Sequence, residues 1–144
     1  SNKTRSISEN FHWAQTVDRL KIAQRLNDQR PSSLPALNVC IQVNISAEEK
    51  KSGVNPAELV AFAQHITTLK HLNLRGLMAI PESTDDQQLQ RHRFSQLQAL
   101  YLQVQDIAPT IDTLSMGMSG DMEQAIAEGS TMVRIGSDVF GARN

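Results

Sequence analysis

Two short segments rich in serine and glycine contain the residues best suited to bind an anion. Gly117, Ser119 and Gly120 follow one apolar segment, and Gly136 and Ser137 follow the next. Small residues let backbone N–H groups approach an anion closely, and the start of a helix adds a favourable dipole. Taken singly, Ser119 is better explained as the cap of a helix beginning near Gly120, and Gly136 as a turn residue. Two such segments in succession favour a phosphate site, so these serine–glycine loops, residues 117–120 and 136–137, predict a class of site but not its ligand.

Arg134 lies inside a predicted strand, where an unpaired guanidinium is very costly to bury. Two arrangements avoid that cost. The guanidinium either pairs with a carboxylate, for which Asp112 and Asp121 are the candidates, or points into the mouth formed by the strand ends. The sequence leaves both open.

Two further residues are weaker candidates for ligand contact. Met78 stands at the end of a predicted strand and is either a core residue or a ligand-facing one. Lys51 follows a strand end and is either a solvated loop lysine or a contact to a carbonyl or phosphate group. No metal-ligand spacing and no serine–histidine–aspartate arrangement connects the four histidines, which are His12, His65, His71 and His92. No metal site is therefore predicted.

The apolar periodicity predicts the elements that must position these residues. Predicted strands span residues 13–17, 38–45, 72–80, 111–116 and 131–135. A helix is predicted after each of the first four, over 19–28, from Asn55, from Thr84 to Ile107, and over 121–128. Capping boxes place two of these starts, Asn55 with Glu58 and Thr84 with Gln87. Successive strand–helix units indicate an α/β fold, in which ligands gather at the carboxyl ends of the strands.

Composition excludes several classes of function. With 144 residues and 40% apolar content the chain can form one domain, although it is shorter than a typical complete barrel. Fourteen basic and fifteen acidic side chains leave a formal charge of −1, without the basic run that nucleic-acid binding needs. No apolar run approaches the roughly 20 residues that span a bilayer, so no membrane partner is predicted. A single cysteine, Cys40 in an apolar strand, predicts a buried thiol and a reducing, cytoplasmic compartment.

Three motifs resemble one known family closely. They are Leu74-Arg-Gly-Leu-Met-Ala-Ile-Pro81, Leu114-Ser-Met-Gly-Met-Ser-Gly-Asp-Met122 and Met132-Val-Arg-Ile-Gly-Ser-Asp-Val-Phe-Gly141. Together they identify the chain as similar to the pyridoxal phosphate homeostasis protein family, and the resemblance runs the length of the chain.

The resemblance implies a fold and a cofactor. The family has a TIM-type (β/α) barrel of the alanine racemase N-terminal kind, which binds pyridoxal 5'-phosphate. The matching positions imply that Arg134 lies near the pyridine nitrogen and that Ser119, Gly136 and Ser137 bind the phosphate. An arginine there keeps the ring nitrogen unprotonated and weakens the electron sink, in agreement with the family's role as a cofactor carrier and regulator without established catalysis.

One departure from the family is large. The chain opens on Ser1 and resembles only the last five βα units, so residues 1–144 are expected to be the C-terminal portion of one barrel domain whose early strands are missing. Those strands carry the family's Schiff-base lysine. None of the five lysines here lies in the matching motif, which makes covalent attachment of the cofactor doubtful; they are Lys3, Lys21, Lys50, Lys51 and Lys70.

The leading hypothesis is therefore a cofactor-binding protein of intracellular pyridoxal phosphate homeostasis, which is not an enzyme. The alternatives are a racemase-like enzyme on the same half-site and a phosphate-binding module without aldehyde chemistry. Apo-enzymes that depend on pyridoxal phosphate are the predicted partners. The full-length protein is expected to be a monomer. This chain alone is expected to self-associate, or to be marginally stable, because half a barrel leaves sheet edges unpaired.

Overall fold

A curved parallel sheet organises the part of the chain that the computed structural model describes, which is residues 3–46, 48 and 52–141. Its strands are β1 (Trp13–Val17), β2 (Leu37–Gln42), β3 (Leu72–Met78), β4 (Thr113–Met118) and β5 (Met132–Arg134). Neighbours in the sheet are also neighbours in the sequence, and every pairing is parallel. The predicted succession of βα units is therefore confirmed, and the carboxyl ends of all five strands lie at one edge, including those of β4 and β5 that lead into the serine–glycine loops.

Helices connect the strands and cover one face of the sheet. They are α1 (Thr4–Asn10), α2 (Leu20–Gln29), α3 (Leu59–Thr67), α4 (Gln87–Ile107), α5 (Met122–Ala127) and α6 (Ser137–Phe140), with a 3₁₀ turn at Pro56–Glu58. Among the residues described, no helix is both long enough and apolar enough to cross a membrane.

The main core lies between the sheet and α2 to α5. Phe94 and Leu97 of α4 are fully buried there, as are Leu59 and Ile66 of α3. Burial of each such side chain contributes about 1.5–3 kcal/mol to folding. These positions belong to the apolar stripes that the sequence predicted, so the helical spacing did identify the face that packs on the sheet.

The other face of the sheet is concave, and Gln15 of β1 shows how strongly it curves. Its side-chain carbonyl accepts a hydrogen bond from Ser115 Oγ of β4 at 2.8 Å, and its amide lies 3.2 Å from the sulfur of Met132 in β5. In a flat sheet with strands about 4.8 Å apart, β1 would lie about 14 Å from β4 and about 19 Å from β5. A glutamine side chain cannot span those distances. The sheet therefore curls as part of a barrel does, with Gln15 reaching across its inside.

The first helix, α1, was not predicted. Its sequence has little apolar periodicity, and the residues it buries are the polar Thr4 and Ser8. It is held instead by Arg30, whose buried guanidinium donates to the carbonyl oxygens of Ser8, Phe11 and Pro35 at 2.6–2.9 Å. Because these are tertiary contacts to the backbone, no local pattern in the sequence signals them.

The two predicted capping boxes are wrong in detail. The helix expected from Thr84 begins at Gln87, because the carboxylate of Asp86 accepts from the N–H groups of Gln88 and Leu89 and so caps it. The Thr84 hydroxyl accepts from Asp86 N instead. Asn55 does cap its helix, but through Ala57 N, and the first turn is 3₁₀ rather than α.

Strand ends also differ from their predicted positions. The second strand ends at Gln42 rather than residue 45, and beyond it Val43 forms an isolated parallel bridge with Val54. The third ends at Met78 rather than residue 80. The fourth spans Thr113–Met118, two residues later than predicted, since its pairing with β3 begins at Thr113. The fifth is shortened to Met132–Arg134, and α6 follows it where only the chain end was expected.

Below Gln15, towards the amino-terminal end of the strands, Arg75 forms a bidentate ion pair on the concave face. Its guanidinium donates to both carboxylate oxygens of Asp112, at 2.9 and 2.7 Å, and lies 4.6 Å from the centre of the Trp13 ring. Hydrogen bonds from Arg75 lower the pKa of the Asp112 carboxyl. Asp112 is thereby committed to Arg75, so it is not the partner of Arg134.

We predict that Gly76→Ala strongly destabilises the chain. A Cβ at Gly76 would lie 1.6 Å from the carbonyl oxygen of Thr113, so β3 and β4 would have to separate. The expected loss is about 3 kcal/mol in the free energy of unfolding, measured by chemical denaturation. Gly120→Ala is the matched control, because a Cβ there meets no atom within 4 Å. Equal stability of the two variants would contradict the prediction.

We predict that Asp112→Asn lowers the free energy of unfolding at pH 7 by about 1 kcal/mol. The expected loss is small because the carboxylate is 55% exposed and water screens the ion pair. A carboxyl whose pKa is lowered by folding stabilises the protein above its unfolded pKa, about 3.9, and loses that contribution as the pH falls through the folded pKa. The two proteins should therefore approach the same stability in acid titrations of unfolding as the pH falls below that unfolded value. A difference that stays constant down to pH 2 would rule out the ion pair as its cause.

Candidate functional site

The two serine–glycine loops come together at the carboxyl ends of β4 and β5. Ser119 and Gly120 from the first loop, with Gly136 and Ser137 from the second, line one cavity of about 710 Å³. Met118, Phe140 and Gly141 complete its described lining. Parallel strands place their carboxyl ends side by side, which is why segments separated by a whole helix share this cavity. The predicted grouping of these four residues is thus what the structure shows; the ligand they bind stays a prediction.

Ser119 has a different structural role from the one its local sequence suggested. Its Oγ accepts a hydrogen bond from the backbone N–H of Asp138 at 3.2 Å, so it reaches the first turn of α6. It does not cap the next helix in sequence, since α5 begins only at Met122. The alternative that Ser119 is simply the cap of its own following helix is therefore wrong. Its hydroxyl joins the two loops.

The glycines of the site differ in what requires them. Gly117 has a φ of +102°, and a Cβ there would lie 2.6 Å from that of Ala125, so both conformation and packing demand glycine. Gly120 and Gly136 face open space, since no atom lies within 4 Å of an added Cβ. The protein itself does not need glycine at these two positions. Their bareness leaves room for a ligand to approach the backbone.

Arg134 stands at the end of β5, just before the second serine–glycine loop. Its terminal nitrogen donates to the carbonyl oxygen of Ala79 at 2.8 Å. Its Nε is buried and has no hydrogen-bond partner within the described part of the chain. Burial lowers the pKa of the Arg134 guanidinium, and the nearby Asp121 carboxylate partly offsets this. Within the described residues neither predicted carboxylate forms a salt bridge with Arg134. Asp112 binds Arg75, and an oxygen of Asp121 accepts from Met118 N.

A second, smaller cavity of about 240 Å³ lies beside the first and includes Arg134 in its lining. It shares Met118 and Gly120 with the first cavity. The guanidinium is therefore at the mouth of the strands, which is the second of the two arrangements that the sequence allowed. A further cavity of about 710 Å³ lies against α4, but no predicted site residue lines it.

The weaker candidates have separate outcomes. Met78 is 2% exposed and faces the concave side, because its neighbours Leu77 and Ala79 belong to the outer core. It is thus buried in the floor of the mouth, pairing in register with Gln42 and Ser115. Lys51 lies outside the described residues.

Cys40 shares the concave face with Met78. Burial raises the pKa of its thiol to about 12, so it remains protonated at neutral pH. The prediction of a buried thiol is confirmed.

Sequence reasoning missed Gln15 and Ser115. Each is a polar side chain inside a predicted strand, and that position was the available signal. Gln15 is 100 residues from Ser115 and 117 residues from Met132 in the chain, so these contacts could not be deduced before the strands were placed.

The donor set of the mouth has a definite chemical character. Hydroxyl groups, the first N–H groups of α6 and the bare backbone at two glycines suit an anion with several acceptor oxygens, such as a phosphate. Arg134 can only donate hydrogen bonds, and it places a fixed positive charge beside the anion site. The described residues therefore fit a ligand that carries a phosphate at one end and an acceptor atom near Arg134.

Comparison with known proteins supplies the family. The model of the alanine racemase N-terminal domain matches residues 2–144. The chain is 56% identical over 146 residues to the pyridoxal phosphate homeostasis protein of Haemophilus influenzae, covering 100% of this chain and 62% of the relative. It is also 56% identical to the protein of the same name from Pseudomonas aeruginosa, of which it covers 61%. The chain thus spans about three fifths of the length of the curated relatives it matches.

Solved structures give the same fold. PipY of Synechococcus elongatus, solved with pyridoxal phosphate bound, is 33% identical with a TM-score of 0.86 over 97% of this chain and 66% of PipY. An alanine racemase of Clostridium difficile has a TM-score of 0.74 at 18% identity over 99% of this chain and 37% of the racemase, a likeness of fold alone. The chain belongs to the alanine racemase N-terminal domain family, and its resemblance to the pyridoxal phosphate homeostasis proteins is confirmed along its whole length.

Proposed function

We propose that this chain supplies the phosphate-binding and ring-facing part of a pyridoxal 5'-phosphate site, in a protein of intracellular cofactor homeostasis. The observation that carries the proposal is the meeting of both serine–glycine loops around one cavity, with Arg134 at its side. The names of the relatives and the bound cofactor in the PipY structure agree with it.

The phosphate end is assigned to Ser119, Gly136 and Ser137. A phosphate monoester carries nearly two negative charges at neutral pH and offers three acceptor oxygens. The Ser119 hydroxyl accepts from Asp138 N, which leaves its own hydrogen free to donate to an anion. Gly136 precedes α6 and Ser137 is its first residue, so their backbone lies where a helix presents N–H groups without intrahelical partners.

The ring end is assigned to Arg134. When bound, pyridoxal phosphate supplies an aldehyde carbon and an aromatic ring that can act as an electron sink. A guanidinium has only donors and keeps its proton, so a ring nitrogen facing it must act as acceptor and stay unprotonated. The buried Nε that lacks a partner among the described residues is a donor held available for such an acceptor. Met78 lies in the floor beneath and provides an apolar contact.

This arrangement favours retention of the cofactor over catalysis. An unprotonated ring nitrogen withdraws electrons weakly, so amino-acid chemistry gains little from the ring. We therefore propose a carrier or regulator rather than an enzyme, acting in the cytoplasm and passing the cofactor to apo-enzymes that need it.

The proposal also covers how the cofactor is attached and whether the protein associates with itself. Lysine attachment of the cofactor is assigned to the family's early strands and not to this chain, whose described lysines Lys3, Lys21 and Lys70 are exposed. The full-length form, which has those strands, is proposed to be a monomer. This chain alone is proposed to associate through β1 and β5, each of which pairs on one side only within the described sheet.

We predict that Arg134→Ala and Ser119→Ala each weaken cofactor binding in the full-length form by about tenfold, as expected for the loss of one charge-assisted hydrogen bond. The measurement is the dissociation constant for pyridoxal phosphate by equilibrium titration. Arg5→Ala and Ser33→Ala are the matched controls, since both residues are exposed and remote from the loops. Unchanged affinity in both site variants would refute this placement of the cofactor.

A second prediction concerns the class of function. The full-length form mixed with pyridoxal phosphate should show the visible absorbance of covalently bound cofactor and should not turn over amino acids. Absence of that absorbance would reject cofactor binding through a lysine and favour a plain phosphate module. Steady racemisation or decarboxylation of an amino acid would instead establish the racemase-like enzyme.

A further inference from the structure

Gln15 lies at the other edge of the sheet from the serine–glycine loops, yet it contacts both strands that lead into them. Its carbonyl accepts from Ser115 Oγ in β4 at 2.8 Å, and its amide lies 3.2 Å from the sulfur of Met132 in β5. Ser115 is fully buried, so its hydroxyl depends on this partner. One side chain therefore ties the first strand of the sheet to the last two.

The strand that carries Arg134 needs such a tie. β5 has three residues, is an edge strand within the described sheet, and pairs with β4 through a register that shifts between Ser115 and Met118. Ladder hydrogen bonds alone hold it weakly. Met132 and Arg134 are two residues apart and so face the same concave side. A contact that fixes Met132 also fixes the direction in which Arg134 leaves the strand.

Glutamine is chemically suited to this position. Its carbonyl satisfies the buried hydroxyl of Ser115, and its amide donates towards the soft sulfur of Met132. An apolar residue of equal size would fill the space but would leave Ser115 without an acceptor and β5 without a directional contact.

We propose that Gln15 is a positioning residue of the cofactor site: together with Ser115 it fixes β5 and thereby sets where Arg134 stands at the ring. This inference rests on the proposed function, since it assumes that Arg134 contacts the cofactor. Gln15 itself lies below the loops and is not a lining residue of either cavity.

The test is a double-mutant cycle in the full-length form, with pyridoxal phosphate as the probe. Gln15→Met removes both polar contacts at nearly constant volume, and we expect about tenfold weaker binding, as for one lost hydrogen bond to the site. In an Arg134→Ala background the same change should cost no further affinity, because the group it positions is gone. Gln103→Met, on the exposed side of α4, is the matched control and should bind as the unchanged protein does.

A purely structural role for Gln15 predicts a different result. Gln15→Met would then weaken binding equally with and without Arg134, and that additivity would overturn the inference. Ser115→Ala, which deletes a single oxygen, provides a milder second variant if Gln15→Met folds poorly; it should show the same dependence on Arg134, and additivity there also overturns the inference. Failure of the unchanged full-length protein to bind the cofactor is a separate outcome, which rejects the proposed function and this inference with it.

Discussion

The curvature of the sheet is the constraint on which the site depends. Five parallel strands laid flat would place β1 about 19 Å from β5, and no side chain of β1 would then contact the last strands. Gln15 does contact them, through Ser115 and Met132. Right-handed strand twist favours such curling, and the helices packed on the outer face maintain it. Because the sheet curls, its strand ends form a concave mouth rather than a straight edge.

The residues at the mouth differ in the groups that they offer a ligand. The serine–glycine loops provide small hydroxyls and bare backbone, with Ser119 joining the first loop to the start of α6. Arg134 provides a fixed charge whose Nε is buried without a partner among the described residues. An unpaired buried donor costs stability, on the order of 1–3 kcal/mol. A fold tolerates such a cost where a ligand supplies the missing acceptor, and this atom therefore supports the proposed position of the cofactor ring.

Local patterns in the sequence were sufficient for the order of the five strands and of the four helices between them, but not for their ends. Apolar spacing predicted β1 without error and the buried stripes of α3 and α4, because burial against one sheet imposes that spacing. Thr84 was predicted to cap α4, whereas the cap is Asp86, because several residues in that segment can accept backbone hydrogen bonds. α1 was missed because its anchor is Arg30, a tertiary contact. The candidate site shows the same division. Composition at strand ends predicted that Ser119, Gly136 and Ser137 lie together, and they line one cavity. The contacts of Gln15 could be recognised only from the fold.

The separation of charge along the concave face explains why the two arginines there have different roles. Arg75 meets Asp112 in a bidentate pair and stacks on Trp13, so its charge is satisfied at the amino-terminal end of the strands. Arg134 has only the carbonyl of Ala79 as an accepting partner among the described residues. The charge of the Asp121 carboxylate raises the pKa of the Arg134 guanidinium, against the effect of burial. A compensated guanidinium stabilises the sheet and offers a ligand little. An incompletely compensated guanidinium attracts an acceptor. Because Arg134 lies two residues beyond Met132, the direction of its side chain depends on the contact between Gln15 and Met132. Stability and binding are thus divided between two ends of the same concave face, and the side chain that spans the face from β1 to β5 lies between them.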